Sequence, residues 1–289
     1  MDTRQAEYAI AVAEELNFTR AARRVFAVQS TVSAGVRALE KELGADIFDR
    51  DQGGVRLTAA GEEIIPRLRE FLDAGTRALT AADPQGSLRG ELRVGVFANF
   101  GPFDLPRIIG DFHHAHPLVD LRLRSSPIGS AGFAEDVSRG RLDVALFGLP
   151  ATAAPGLTMH PLATSTFVAL LPTDHARAGD RHVPIAALAD ERFIDTPAGF
   201  GNRTVLDAAL GRHGIVRDIA TEIGETGLIP SFVAAGLGVA ILPEMFAGDV
   251  PGVVKVPLDV QIGWELTAIT RPQPTAAASA FVARLVPPA

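Results

Sequence analysis

Residues 11–66 read AVAEELNFTRAARRVFAVQSTVSAGVRALEKELGADIFDRDQGGVRLTAAGEEIIP. Two apolar stripes organise this stretch. Ala9, Val12, Ala13 and Leu16 recur at helical spacing, and Val32, Val36, Leu39 and Leu43 repeat the pattern. Between them Thr19 can cap a short helix over Arg20–Val25, and Phe26–Val28 can turn the chain into a helix from Gln29 to Leu43. A short helix, a tight turn and an amphipathic helix make a helix-turn-helix, whose second helix can lie in a DNA major groove. Asp46–Leu57, with Gly53-Gly54 at its tip, then reads as a hairpin wing.

If Val32, Val36 and Leu39 face the core, then Ser30, Ser33, Ala34 and Arg37 lie on the outward stripe. Gln29 can pair bidentately with adenine, Ser30 and Ser33 can hydrogen-bond bases or phosphates, and Arg37 suits phosphate. The candidate DNA-facing set is Thr19, Arg20, Gln29, Ser30, Thr31, Ser33, Ala34, Arg37, Arg50 and Arg56.

Thr58 is placed to cap a longer helix, with Pro66 inside it expected to kink it. Its apolar stripe of Ile64, Leu68, Phe71, Leu72 and Leu79 is expected to pair with a second subunit. Asp83, Pro84, Gly86, Ser87 and Gly90 then crowd a linker. Beyond it short strands (Leu92–Phe97, Val119–Arg124, Leu142–Phe147, Phe167–Leu171) alternate with helices (Pro102–Ala115, Gly132–Arg139). The same grammar resumes over Arg192–Asp195, Arg203–His213, Asp218–Ile223, Gly227–Ala235 and Val239–Leu242. Such alternation predicts two α/β units with a largely parallel sheet and a cleft between them.

Composition removes several functions. The chain has 289 residues, 47% of them hydrophobic, which suffices for packed cores and excludes a disordered tail. It has no cysteine, so a disulfide scaffold, a thiolate zinc site and thiol-based catalysis or peroxide sensing are excluded. The start, MDTRQAEYAI, does not read as a secretory signal, and no apolar run reaches the roughly 20 residues of a membrane span. A cytoplasmic protein with no membrane association is expected. His113, His114 and His116 include no i, i+4 pair and read as a polar helix end, not a metal site. Ser130 in Gly129-Ser130-Ala131-Gly132 lacks the central position of a nucleophile elbow. No catalytic constellation is found, and no metal or cofactor is expected.

The sequence resembles the LysR-type transcriptional regulators. The resemblance rests on Phe18-Thr19 followed by Ala21-Ala22, on Gln29, Ser33, Leu39-Glu40, Leu43-Gly44, Phe48 through Arg50, and on Leu57-Thr58-Ala59-Ala60-Gly61. It continues through Pro117, Asp143-Val144-Ala145 and Gly236-Leu237-Gly238-Val239 to Leu242-Pro243, and so covers essentially the whole chain. It implies an α plus α/β architecture: a winged helix-turn-helix over 1–58, a linker and dimerisation helix with a hinge over 59–90, and an effector domain over 91–289. That domain would be two-lobed and similar to periplasmic binding proteins, with lobe I at about 91–163 and 269–289 and lobe II at about 164–268. The implied partners are double-stranded promoter DNA, a small-molecule effector, further copies of the chain as homodimer or homotetramer, and RNA polymerase if the protein activates.

By position in the family, the effector cleft would be lined by Asn99, Phe100, Gly101, Ser125, Ser126, Phe147, Thr196, Phe200, Gly201, Asn202, Arg203, Glu225 and Thr226. Arg203 leans this reading towards an acidic metabolite. Three departures stand out. Val28 occupies a position where the family usually carries a capping Ser or Thr. Ala34 and Gly35 replace common Arg and Gln, and the wing reads Asp51-Gln52-Gly53 where basic residues are usual. Residues 1–89 hold 12 basic and 14 acidic side chains. Either each subunit binds DNA weakly and dimeric avidity compensates, or Arg20, Arg23, Arg24, Arg37, Arg50 and Arg56 share one face. The rival reading is a small-molecule binding protein, or an enzyme on such a fold, whose N-terminal module serves only dimerisation.

Overall fold

The computed structural model describes residues 1–51, 54–81, 87–97 and 103–286. The chain divides into two compact units, residues 1–90 with 139–141, and residues 91–138 with 142–289.

The first unit runs α1 (Thr3–Glu15), α2 (Phe18–Arg24), α3 (Gln29–Leu43), β1 (Phe48–Asp51), β2 (Gly54–Leu57) and α4 (Ala59–Ala81). Asp2 starts α1 with a capping box, accepting from the backbone of Arg4 at 2.6 Å while Gln5 answers its own N–H. Asn17, not Thr19, caps α2: its Oδ1 accepts from the N–H groups of Thr19 at 2.9 Å and Arg20 at 3.0 Å. An Asn amide oxygen reaches the N2 and N3 donors from the cap position, and Thr19 falls inside the first turn. Val28 starts α3 with no side-chain cap.

Ala9, Val12, Ala21, Val32, Val36 and Leu39 fuse the three helices into one core with Ile47, Phe48, Ile65 and Leu68. Gly35 fits because a Cβ there would stand 2.7 Å from the ring of Tyr8. The wing base is held by the buried Glu40, whose carboxylate accepts from the N–H groups of Ile47 at 3.0 Å and Phe48 at 3.2 Å. Thr58 caps α4 as expected, accepting from Gly61 N at 2.9 Å. Gly61 packs so closely on the wing that a Cβ would lie 2.1 Å from the carbonyl oxygen of Ile47. α4 continues unbroken through Pro66.

The second unit comprises β3 (Gly90–Gly95), α5 (Leu105–Ala115), β4 (Val119–Arg124), α6 (Gly129–Ser138), β5 (Val144–Phe147), β6 (Thr158–Pro172), β7 (Arg192–Asp195), α7 (Gly201–Gly211), β8 (Asp218–Glu222), α8 (Ile229–Ala234), β9 (Ala240–Pro243), β10 (Val253–Pro257), β11 (Gly263–Thr270) and α9 (Ala276–Leu285). The main sheet has the order β10-β6-β11-β5-β3-β4, with β9 also paired to β6, and β7 pairs β8 separately. Parallel pairing joins β3 to β5 and β7 to β8. Every pairing made by β6 and β11 is antiparallel, which corrects the expectation of a largely parallel sheet. The long strand β6, with β11 paired along it, crosses between two cores. One gathers Phe133, Leu142, Phe147 and Ile269; the other gathers Val168, Ile194, Val233 and Leu242. The fold is therefore two-lobed.

The first half of β6 is hidden in the sequence by Pro161. That proline sits at a register shift, where Leu266 faces Ala163 but Thr267 faces Pro161, so Leu162 is the extra residue of a bulge. A bulge tolerates a proline that a regular ladder would not. No helix among the described residues is long and apolar enough to cross a membrane.

Candidate functional sites

On α3, Gln29, Ser30, Thr31, Ala34 and Arg37 are exposed, while Val32, Val36 and Leu39 are buried. Ser33 departs from expectation: it is buried beside this apolar stripe. At 100° per residue, position 33 sits next to Val32 and Val36, so a small hydroxyl there fills the edge of the core. Thr19, Arg20 and Arg56 are exposed. Arg50 lies in β1 opposite Val55, and its side chain falls outside the described residues, as do Gln52 and Gly53 of the wing. Arg20 is committed to Glu15 at 3.2 Å, and Arg24 reaches Glu14 at 2.5 Å. Arg23, Arg37 and Arg56 carry no ion pair among the described residues. The acidic balance of this unit is thus partly absorbed by local pairs, which leaves exposed cations on α2, on α3 and in the wing.

The dimerisation stripe divides. Leu68 is buried in the core of its own unit, and Ile64, Phe71 and Leu72 are half-buried against that core. Leu68 is therefore corrected from interface to core, because α4 packs back on α1. Leu79 stays 63% exposed.

In the second unit a cavity of about 80 Å³ opens at the carboxyl ends of the strands, where open α/β sheets place ligands. Val96 and Phe97 follow β3, Ser125 and Ser126 follow β4, and Ser130 comes from α6. From the other lobe come Phe200, Gly201 and Asn202 at the start of α7, with Gly224, Glu225 and Thr226 after β8. Phe246 and Trp264 close the base, their rings edge-to-face at 5.0 Å.

Ser125, Ser126, Phe200, Gly201, Asn202, Glu225 and Thr226 thus meet at this cavity. Asn99, Phe100 and Gly101 lie outside the described residues. Three other residues belong elsewhere. Phe147 is fully buried in the lobe core with neighbours such as Phe133, and it does not line the cavity. Thr196 is also fully buried; its hydroxyl donates to Asn202 Oδ1 at 3.2 Å and so orients the amide instead of lining the wall. Arg203 is spent on protein acceptors: Asp207 at 2.6 Å, the Thr196 carbonyl at 2.9 Å and Glu222 at 3.2 Å. Its guanidinium, already held by two carboxylates, gives no support to an acidic ligand. Nearby, burial pushes the Asp195 carboxyl above the ordinary carboxylate range, against the opposing pull of Arg217.

The sequence reading missed Val96, Phe97, Ser130, Gly224, Phe246 and Trp264. Trp264 is 4% exposed and Asn202 6%, and Trp264 Nε1 and Asn202 Nδ2 find no hydrogen-bond partner among the described residues. Two buried donors without acceptors, at one cavity, are costly unless something else supplies the oxygen. Glycines bring the lobes together here. A Cβ on Gly201 would lie 2.4 Å from the carbonyl oxygen of Gly148, and one on Gly148 would lie 2.3 Å from the Trp264 ring. Gly201→Ala is expected to force the lobes apart and weaken effector binding at least tenfold while DNA binding persists, measured by titration of the two ligands separately.

Two family models match the chain. The LysR substrate binding domain matches residues 85–287, and the bacterial regulatory helix-turn-helix of the lysR family matches residues 3–62. The chain belongs to the LysR family. This LysR-type protein is a DNA-binding transcriptional regulator whose promoter binding is modulated through an effector domain. The regulator ShiR of Corynebacterium glutamicum is 34% identical over 83% of this chain and 82% of its own. A probable hydrogen peroxide-inducible genes activator of Streptomyces viridosporus is 32% identical over 86% of this chain and 74% of its own. Among solved structures, a full-length OxyR variant of Pseudomonas aeruginosa has a TM-score of 0.77 at 25% identity, covering 99% of this chain and 93% of that one. Unlike a thiol sensor, this LysR-type chain has no cysteine to oxidise.

Proposed function

We propose that this regulator reads promoter DNA with the start of α3. Gln29, Ser30, Thr31 and Ala34 would face base edges, and Arg37, Arg56 and Thr19 the phosphates. The observation behind this assignment is the exposed polar stripe of α3 opposite its buried apolar one. The protein acts in the cytoplasm without catalysing a reaction. It works as a dimer or tetramer joined partly through Leu79 and the half-buried Ile64, Phe71 and Leu72, and it contacts RNA polymerase if it activates.

The effector occupies the cavity between the lobes and offers oxygen acceptors to Asn202 Nδ2 and Trp264 Nε1. The start of α7 adds partial positive charge at the same place. Glu225 is the only charged side chain on the described cavity wall, and the neighbouring stretch Ala98–Pro102 contains no charged residue. A buried anion would lack a counter-cation. A small neutral molecule with a carbonyl or hydroxyl group and an apolar body therefore fits this cavity best. Binding can shift DNA geometry only through different affinity for two arrangements of the protein.

The test begins with purified full-length protein and a random duplex pool, followed by footprinting of its own upstream DNA at two salt concentrations. A protected dyad that weakens with salt is expected; no sequence preference at low salt would refute the DNA reading. A thermal-shift screen of neutral, acidic and basic metabolites then addresses the effector. Asn202→Ala and Trp264→Phe should each weaken effector binding by roughly 10-fold, the scale of one buried hydrogen bond, and leave the footprint intact. An acidic effector unaffected by both variants would refute the cavity assignment.

A further inference from the structure

Phe26 and Val28 lie in the turn that leads into α3, and neither choice helps the first unit to fold. Phe26 is 99% exposed and adopts φ +52°, in the left-handed region that bulky side chains rarely occupy. Val28 is 69% exposed and holds the N-cap position of α3 without offering an oxygen to its N–H groups. An uncovered phenyl ring, a left-handed Phe and an uncapped helix are three costs at one turn. The turn's backbone is itself regular: Ala27 N donates to Ala22 O at 2.9 Å, and Val32 N to Val28 O at 3.2 Å. Local strain of this kind is retained where the side chain has another use.

The neighbouring exposed residues are Gln29 and Ser30, the first residues of the helix assigned above to the major groove. Apolar side chains have one partner on major-groove base edges, the 5-methyl group of thymine. We propose that Phe26 and Val28 form an apolar wedge that packs on thymine methyl groups beside the bases read by Gln29 and Ser30. The wedge makes the regulator prefer thymine at those positions, a preference that a hydroxyl-bearing residue at position 28 would not supply. This inference rests on the reading of α3 as the recognition helix.

The experiment uses the full chain and the duplex recovered from the random pool. Each thymine is replaced in turn by deoxyuridine, which removes only the methyl group. At one or two positions per half-site the affinity should fall roughly fourfold, the value of one buried methyl group. Val28→Ser should fold, bind DNA and lose the sensitivity at its thymine. Phe26→Asn places a residue tolerant of left-handed backbone at the turn, so loss of thymine sensitivity there cannot be blamed on misfolding. Deoxyuridine substitution without effect at every thymine would overturn the wedge while leaving the recognition helix intact. So would equal sensitivity in wild type and both variants. If the variants instead change the oligomeric state in sedimentation and leave thymine sensitivity unchanged, the pair covers a protein interface and the proposal fails. Absence of any preferred duplex would defeat the recognition-helix reading itself.

Discussion

Asp143→Ala is expected to destabilise the second unit by about 3–5 kcal/mol, the usual result of removing one partner from a buried ion pair. Asp143 is 3% exposed. Its carboxylate takes both arms of Arg93, Nε at 3.0 Å and Nη2 at 2.9 Å, and also the Arg93 backbone N–H at 2.8 Å. Arg271 approaches the same carboxylate at 3.5 Å. Without Asp143, both guanidinium groups lose this buried carboxylate, and the Arg93 N–H loses this acceptor. Asp143→Asn preserves shape and an acceptor and should lose less. The check is urea denaturation of the full chain followed by circular dichroism, with hydrogen exchange at the β3 amides to assign the loss to this unit. A change within about 0.5 kcal/mol, the range of ordinary surface substitutions, would mean that the pair contributes nothing beyond its own desolvation.

The second large effect concerns DNA. Gln29→Ala should abolish discrimination at the base it faces, at a cost of about 1–3 kcal/mol per contact. A dyad presents two half-sites, so the loss to a dimer is about 2–6 kcal/mol, or roughly 30-fold to 10⁴-fold in affinity. Folding should be untouched, because Gln29 is exposed and Ala is a good helix former. Arg37→Ala gives the contrast. It should weaken binding about equally on all sequences and lower the salt slope by about 1 per subunit. If Gln29→Ala behaves like Arg37→Ala, the start of α3 positions the protein but does not read bases.

What the sequence made legible tracks how local the signal is. The helix-turn-helix was readable because its core is built from i, i+4 repeats within each helix. Even motif residues without an evident role acquire one in the fold: Glu40 ties down the wing, and Gly61 lets α4 touch it. Ser33 was misplaced because a residue at the margin of an apolar stripe can fall either way, and periodicity alone does not decide it. The crossing strands were half-hidden, since Pro161 and the polar run Thr164–Thr166 break the alternation that marks a strand. Their pairing partners lie about 100 residues away, as for Thr158 and Thr270. The same distance concealed Trp264, which reaches the cavity from β11 and belongs to no local motif. Arg203 illustrates the opposite failure. A helix-start arginine looks like an anion receptor until the carboxylates of Asp207 and Glu222, set by tertiary structure, are found on it.

The placement of Trp264 has a practical side. It is the only tryptophan in the chain, and Tyr8 the only tyrosine. One chromophore lies at the base of the cavity proposed for the effector, against Phe246, and the other lies in the helical core of the first unit against Gly35. Red-edge excitation therefore makes each chain emit from the wall of that cavity alone. Quenching or a wavelength shift on ligand addition becomes a label-free signal of binding at that cavity, and the same signal on DNA addition would report the coupling between the two sites. The regulator carries its own optical probe, with no dye or engineered residue required.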